Sequence, residues 1–159
     1  MNKPKLTVMI VDDESTITRT IKRYCMLNPL FEEVAFHEAC TFQEALDKLE
    51  AVSPNIIIQD INLPDGNGLQ LIKQAKKKYP MIQFIVITGA SDLDRAMEAL
   101  SFGAVDYLKK PIDMPLLGEV MAEALRRCNR WGELLWSEYL AEAGEESWEE
   151  ELPKGRPAG

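Results

Sequence analysis

The sequence predicts an α/β domain, a doubly wound sheet of five parallel strands flanked by five helices and followed by a C-terminal helical extension. Three observations predict it. Short apolar runs alternate with amphipathic stretches from residue 6 to about residue 127. Three of those runs, at 6–11, 56–58 and 84–87, are nearly continuously apolar, the pattern of strands covered on both faces. Five strand–helix units in succession then call for right-handed crossovers and a parallel sheet.

The first strand is 6–11, and Ile17, Ile21, Tyr24 and Cys25 form one face of the helix after it. A second strand at 33–36 precedes Thr41-Phe42-Gln43-Glu44, a capping-box pattern, and the stripe Phe42, Ala45, Leu46, Leu49. The third strand, 55–60, leads to a helix carrying Leu69, Ile72, Ala75 and Tyr79, with Pro80 at its end. After a fourth strand at 83–88, Ser91 or Asp92 is placed to cap a helix bearing Leu93, Ala96, Met97 and Leu100, and Gly103 ends it. The fifth strand is 105–108, and Asp113 caps the last helix with Pro115 in its first turn. Leu117, Met121, Ala124, Cys128, Trp131 and Leu135 continue that helix as one stripe, although Gly132 weakens it by about 1 kcal/mol. The expected division is a domain over 1–127 and an extension over 128–159 that ends in a disordered acidic tail.

The net charge of −8 argues against nucleic acid as a direct partner, and most of it lies late, where eight Glu from 133 to 159 face only Lys154 and Arg156. No apolar run approaches the roughly 18 residues of a membrane span, and no secretory signal opens the chain. Cys25, Cys40 and Cys128 match no metal or redox spacing and read as reduced packing residues, which suggests a cytoplasmic protein. His37, the single histidine, reads as a sheet-edge residue.

In such sheets ligands bind beyond the carboxyl ends of the strands. Strand one ends in Asp12-Asp13, strand three in Asp60, strand four in Thr88-Gly89, and strand five runs into Lys109-Lys110-Pro111. Two carboxylates about 4 Å apart repel by roughly 4 kcal/mol at an effective dielectric of 20, so either their pKa values rise or a cation joins them. Oxygen ligands suit Mg²⁺, and a carboxylate can itself be the nucleophile in phosphoryl transfer. Lys110 supplies an ammonium and Thr88 a hydroxyl for the transferring group. Taken singly these residues have plainer readings: Asp12-Asp13 as helix capping, Pro64-Asp65-Gly66 as a turn, Tyr107 as a sheet aromatic, Lys109 as a solvated neighbour.

Four motifs, Val11-Asp12-Asp13-Glu14, the run from Asp60 through Asn62-Leu63-Pro64-Asp65-Gly66-Asn67 to Gly68, Ile87-Thr88-Gly89-Ala90, and Tyr107-Leu108-Lys109-Lys110-Pro111, resemble the response-regulator receiver family of two-component phosphorelay signalling. The resemblance covers residues 5 to about 127. It implies a flavodoxin-like strand order, 2-1-3-4-5. It implies that Asp60 accepts a phosphoryl group from a sensor histidine kinase or a histidine phosphotransfer protein. Mg²⁺, or Mn²⁺, would be held by Asp13, Asp60 and the Asn62 backbone carbonyl, with Asp12 acting through water. Thr88 and Lys110 would contact the phosphoryl group, Thr88 and Tyr107 would switch, and the Lys110–Pro111 bond would be cis. Gly89 would leave the site accessible, while Asn62 and Ala90 would tune dephosphorylation. The chain would then be a switch that catalyses its own phosphorylation and dephosphorylation, changing partner binding or self-association.

A dehalogenase-type phosphatase also uses an Asp nucleophile and Mg²⁺, but no D-x-D-G-T pattern follows the first strand. An inert receiver-shaped module usually lacks an acid or the lysine, and neither is missing. The expected output surface is the fourth helix, fifth strand and fifth helix, together with the extension carrying Trp131, Trp136 and Tyr139. It would serve a second copy or a downstream protein, or connect to the output domain of a larger regulator.

Overall fold

The structure, a computed structural model, describes residues 6–89 and 91–143, with side chains as far as Leu135. The strands are β1 (Leu6–Val11), β2 (Val34–Ala39), β3 (Ile56–Asp60), the short β4 (Asn62–Leu63) and β5 (Gly66–Asn67), β6 (Gln83–Thr88) and β7 (Asp106–Lys109). The α-helices are α1 (Ser15–Met26), α2 (Phe42–Val52), α3 (Gly68–Lys78), α4 (Leu93–Ser101) and α5 (Met114–Ala143). Five strands form one parallel sheet in the order β2-β1-β3-β6-β7, which is 2-1-3-4-5 counted within that sheet.

Alternation along the central strands divides the core into two layers. Val8, Ile10, Ile56, Ile58, Ile85 and Ile87 face α1 and α5, where Ile21, Cys25, Leu117, Met121 and Ala124 are buried. Met9, Val11, Ile57, Phe84 and Val86 face α2, α3 and α4, meeting Ala45, Leu49, Leu69, Ile72, Ala96 and Ala99. A strand apolar at every position is therefore what a sheet covered on both faces requires.

The helix boundaries have local causes. Thr41 accepts a hydrogen bond from the Glu44 N–H, and the Glu44 carboxylate accepts from the N–H of Cys40, one residue before the cap, a shifted form of the capping box at the start of α2. Asp113 accepts from the Leu116 N–H at the start of α5. Gly103, at φ +107, turns the chain out of α4, a conformation that favours glycine. The buried Gln83 fastens α5 to β6: its amide donates to the Ala124 carbonyl and to Cys128 Sγ, and it accepts from Arg127 Nε at 2.6 Å.

Pro64-Asp65 is the turn expected from the sequence, and it forms the tip of a two-stranded hairpin, β4–β5. Other expectations need correction. Asp92 is the N-cap residue of α4, but its carboxylate makes no capping bond. Cys25 and Cys128 are buried, whereas Cys40 is exposed and packs in no core layer. The α5 stripe is buried through Cys128, half-buried at Trp131 and exposed at Leu135, while the helix itself continues past Gly132 to Ala143. His37 is exposed on the edge strand β2. Among the described residues no helix is long and apolar enough to cross a membrane. The expected acidic tail, the side chains of Trp136 and Tyr139, and Ala90 lie outside the described residues.

Candidate functional site

The carboxyl ends of β1, β3, β6 and β7 meet at one edge of the sheet. Asp12 directly follows β1 and its N–H bonds the Ala39 carbonyl of β2, so the chain leaves the sheet with this side chain wholly buried. Asp60 is the last residue of β3 and is 6% exposed. The adjacent Asp13 is exposed. Asp12, Asp13 and Asp60 offer carboxylate oxygens that all lie within 4.8 Å of one another.

Each buried carboxylate is oriented by the backbone two residues on. Asp12 Oδ1 accepts from the Glu14 N–H at 2.9 Å, and Asp60 Oδ1 accepts from the Asn62 N–H at 2.9 Å. Lys110 enters from β7: its N–H bonds the Thr88 carbonyl at 2.8 Å, and the Lys110–Pro111 bond is cis. Its ammonium donates to Asp60 Oδ2 at 2.7 Å and lies 3.3 Å from Asp12 Oδ2 and 3.5 Å from Glu14 Oε1. Parallel pairing sets Asp60 against Ile87, which places the buried Thr88 just beyond it.

Burial raises the Asp12 carboxyl above its ordinary pKa, and the Asp60 charge adds to that. The Glu14 N–H and Lys110 pull the other way. Burial opposes the Lys110 charge, yet the hydrogen bond to Asp60 and the attraction of Asp60 and Asp12 raise its pKa overall. One ammonium thus faces three acids, Asp60, Asp12 and Glu14. Asp12 Oδ2 is buried and accepts no hydrogen bond, its approach to Lys110 being an ion pair without bonding geometry. An all-carboxylate donor set with such an oxygen turned inward fits a hard divalent cation, so Asp12, Asp13 and Asp60 could bind a metal.

The loop after Asp60 is held from several sides. A Cβ on Gly68 would lie 2.7 Å from the Asp60 carbonyl oxygen and 2.8 Å from that of Ile61, so only glycine allows this crossing. Gln59, buried beside Asp60, donates to the Gly68 carbonyl and pins the start of α3. Asp65 reaches across to cap α2, accepting from the N–H groups of Phe42 at 2.7 Å and Gln43 at 3.0 Å. Arg95 of α4 bonds Asn62, Asn67 and the Ile61 carbonyl, while Asn62 Nδ2 donates to Asp92 Oδ2 at 2.9 Å. Tyr107 is half-buried on β7 and packs against the α2–α3–α4 layer, and Gly89 is half-buried after Thr88.

The sequence reading missed Asp65, Asp92, Arg95 and Gln59 as parts of this assembly. Only Asp65 had a usable signal: it shares the motif with Asp60 and precedes a glycine. The N–H bonds of Gln43 and Phe42 hold the Asp65 carboxyl below its ordinary pKa. Its stabilising contribution is therefore complete above the unfolded value of about 3.9 and is lost as pH falls through the lower folded value. Asp65→Ala is expected to lower the melting temperature at neutral pH, and the deficit should shrink in thermal melts taken toward about pH 2. A constant deficit across that range would contradict the capping role.

The comparisons with known proteins agree with this geometry. The family model for the response regulator receiver domain matches residues 8–122. The chain is 39% identical over 114 residues to the DNA-binding transcriptional regulator NtrC of Proteus hauseri, a match covering 69% of this chain and 22% of that protein. It is 34% identical over 121 residues to the response regulator protein PilR of Pseudomonas aeruginosa, covering 76% of this chain and 26% of that protein. The chain therefore spans about a quarter or less of these relatives. Among solved structures, a receiver domain protein from Clostridium thermocellum matches with a TM-score of 0.69 and 29% identity, covering 77% of this chain and 95% of that one. An uncharacterized protein from Neptuniibacter caesariensis matches with a TM-score of 0.70 and 28% identity, covering 79% and 90%. With its sheet order, its acidic strand ends and its lysine all in one pocket, the chain belongs to the response regulator receiver family.

Proposed function

We propose that Asp60 is the phosphoacceptor of this receiver. The observation that carries the reading is the Asp60 carboxylate itself, with one oxygen fixed by the Asn62 N–H and the other by the Lys110 ammonium. An oxygen of Asp60 attacks the phosphorus of a phosphohistidine on a sensor histidine kinase or phosphotransfer protein. The phosphorus–nitrogen bond breaks, and its electron pair returns to the imidazole. Bound Mg²⁺ supplies charge for the phosphoryl oxygens and neutralises the acids around them. Asp13, Asp60 and the Asn62 backbone carbonyl are the ligands we assign to it, with Asp12 acting through water.

Lys110 is already directed at Asp60 and stays charged there, so it meets the incoming negative charge without reorganisation. Thr88 hydrogen-bonds a phosphoryl oxygen, and its movement opens the space that the Tyr107 ring takes up. Gly89 leaves the approach uncluttered, and Asn62 stands where it affects attack by water. Ala90, assigned the same tuning role, adds no geometric support because it lies outside the described residues. In this reading the chain catalyses its own phosphorylation and dephosphorylation, in the cytoplasm, as a signalling switch.

The output face is α4, β7 and α5. Leu93, Met97 and Leu100 on α4 and Leu116 on α5 are exposed there, an apolar surface suited to a downstream protein or a second copy. Phosphorylation shifts a two-state equilibrium of this face. A second reading, in which the signal is relayed along α5 to a further domain, is favoured by the greater length of NtrC and PilR.

Incubation of the whole chain with Mg²⁺ and a small acyl phosphate, followed by intact mass measurement, tests the main reading. One phosphoryl group is expected, and chelation of the metal should prevent its addition. No mass gain on the wild-type chain would overturn the assignment.

A further inference from the structure

Asn62 has an arrangement that the phosphoacceptor reading alone leaves unexplained. Its backbone N–H bonds Asp60 Oδ1, so this exposed side chain is held close to the carboxylate. Both polar ends of its amide are taken up by α4. Nδ2 donates to Asp92 Oδ2 at 2.9 Å, and Oδ1 accepts from Arg95. The other guanidinium nitrogen of Arg95 donates to Asn67 Oδ1 at 2.9 Å and reaches the Ile61 carbonyl at 3.4 Å. One arginine thus spans β4, β5 and the residue after Asp60. Asp92, drawn toward Asn62, stands over Gly89, where a Cβ would lie 3.3 Å from its carboxylate.

A free amide has two donors and an acceptor with which to orient a water molecule. Here the acceptor is matched to a guanidinium and one donor to a carboxylate. Bonds with one charged partner are about twice as strong as neutral ones, so the amide is held rather than merely touched. Arg95 also fixes which way the amide points, since its oxygen must face the cation and its nitrogen the acid.

We propose that Arg95 is a positioning residue that clamps the Asn62 amide against Asp92, and that this clamp prolongs the phosphorylated state of Asp60 by withholding the amide from attacking water. The inference rests on Asp60 being the phosphoacceptor. In the hydrolysis it restrains, a water oxygen bonds to phosphorus and the phosphorus–oxygen bond to Asp60 breaks. The electron pair stays on the Asp60 carboxylate, and inorganic phosphate and one proton go to solvent. With Arg95 removed, the Asn62 carbonyl loses its charged donor and the side chain is free to turn toward that water. Arg95 is half-exposed on α4 and lies outside the buried layers, so its removal leaves the core intact.

The test is the decay of the phosphorylated chain, followed by intact mass after the phosphodonor is removed and Mg²⁺ is kept constant. Arg95→Ala is expected to shorten the phosphoryl half-life roughly three- to tenfold in the wild-type background. In an Asn62→Ala background the same substitution should change it less than about twofold, because the clamped group is already gone. A half-life that is unchanged or longer in Arg95→Ala overturns the proposal. An equal shortening in both backgrounds also overturns it, since a general loosening of α4 would act with or without Asn62. Failure of the wild-type chain to take up phosphate is a separate result, and it sinks the Asp60 reading on which the clamp rests.

Discussion

Asp60→Asn is expected to gain no phosphoryl group under conditions that load the wild-type chain, and to lose most of its stabilisation by Mg²⁺. The substitution changes shape very little: the amide oxygen still accepts the Asn62 N–H that orients this side chain. What it removes is the anionic oxygen proposed above as the nucleophile, together with one of three carboxylates whose oxygens lie within 4.8 Å of one another. Lys110 keeps Asp12 and Glu14 as ion partners, so the metal-free variant remains folded. Asp12 also loses the neighbouring charge that helps to raise its pKa. The two effects oppose each other, and a small net change in metal-free stability follows. A cation present at about one hundred times its dissociation constant stabilises a folded protein by about 2.7 kcal/mol, so urea melts with and without Mg²⁺ read the second half of the prediction. An adduct on Asp60→Asn equal to that on the wild type would move the nucleophile elsewhere.

Legibility in the sequence tracked how local each determinant is. β1, β3 and β6 were readable because burial at every position makes them nearly continuously apolar, with polar residues such as Thr7, Gln59 and Thr88 only near their ends. The edge strand β2 was placed at 33–36 but runs over Val34–Ala39, since its half-exposed middle mixes apolar and polar residues. The hairpin β4–β5 gives no periodic signal at two residues per strand. Asp12, Asp13, Asp60 and Lys110 could be brought together from sequence because each ends or follows a strand and the topology collects strand ends at one edge. Ser91 or Asp92 reads as a cap because a cap is a local matter; Asp92 does hold the N-cap position, but its carboxylate bonds Asn62, thirty residues earlier. Arg95 and Asp65 act over similar separations, through side chains whose targets are set by tertiary packing. The helix α5 passes Gly132 to Ala143, so a propensity cost of about 1 kcal/mol at one position was not enough to end it.

These long-range ties share a purpose in the chemistry proposed above. Asp65 fixes the loop after Asp60 to α2, Gln59 fixes it to α3, and Arg95 fixes it to α4. The nucleophile thus sits on the end of a buried strand, while its following loop is fastened to three separate helices. Movement at α4 reaches Asp60 through only two links, the Asn62 side chain and the Asn62 N–H. If phosphorylation of Asp60 changes the affinity of a partner for α4, as proposed above, that partner changes the energetics of the Asp60 site by the same free energy.

Lys110→Met is expected to slow phosphoryl uptake by Asp60 on the order of a hundredfold while strengthening the hold on Mg²⁺. The ammonium donates to Asp60 Oδ2 at 2.7 Å and lies 3.3 Å from Asp12 Oδ2, so the variant leaves two buried carboxylates with their backbone N–H bonds but without this cation. Removing one partner of a buried ion pair costs about 3–5 kcal/mol, and partial exposure of the Lys110 side chain brings this toward the lower end. The metal-free variant should therefore unfold at lower urea. Added Mg²⁺ then binds a pocket that is one charge more negative, an attraction of about 1–2 kcal/mol even at near-aqueous dielectric. Stabilisation by Mg²⁺ should consequently be larger in Lys110→Met than in the wild type, opposite to the loss expected for Asp60→Asn. Phosphoryl transfer should still fail to recover, because the cation compensates the carboxylates but not the ammonium aimed at the transferring group. A time course by intact mass at saturating Mg²⁺ separates the two roles. Normal uptake at that concentration would reduce Lys110 to a counter-ion, and weaker Mg²⁺ binding would contradict its competition with the metal for the same acids.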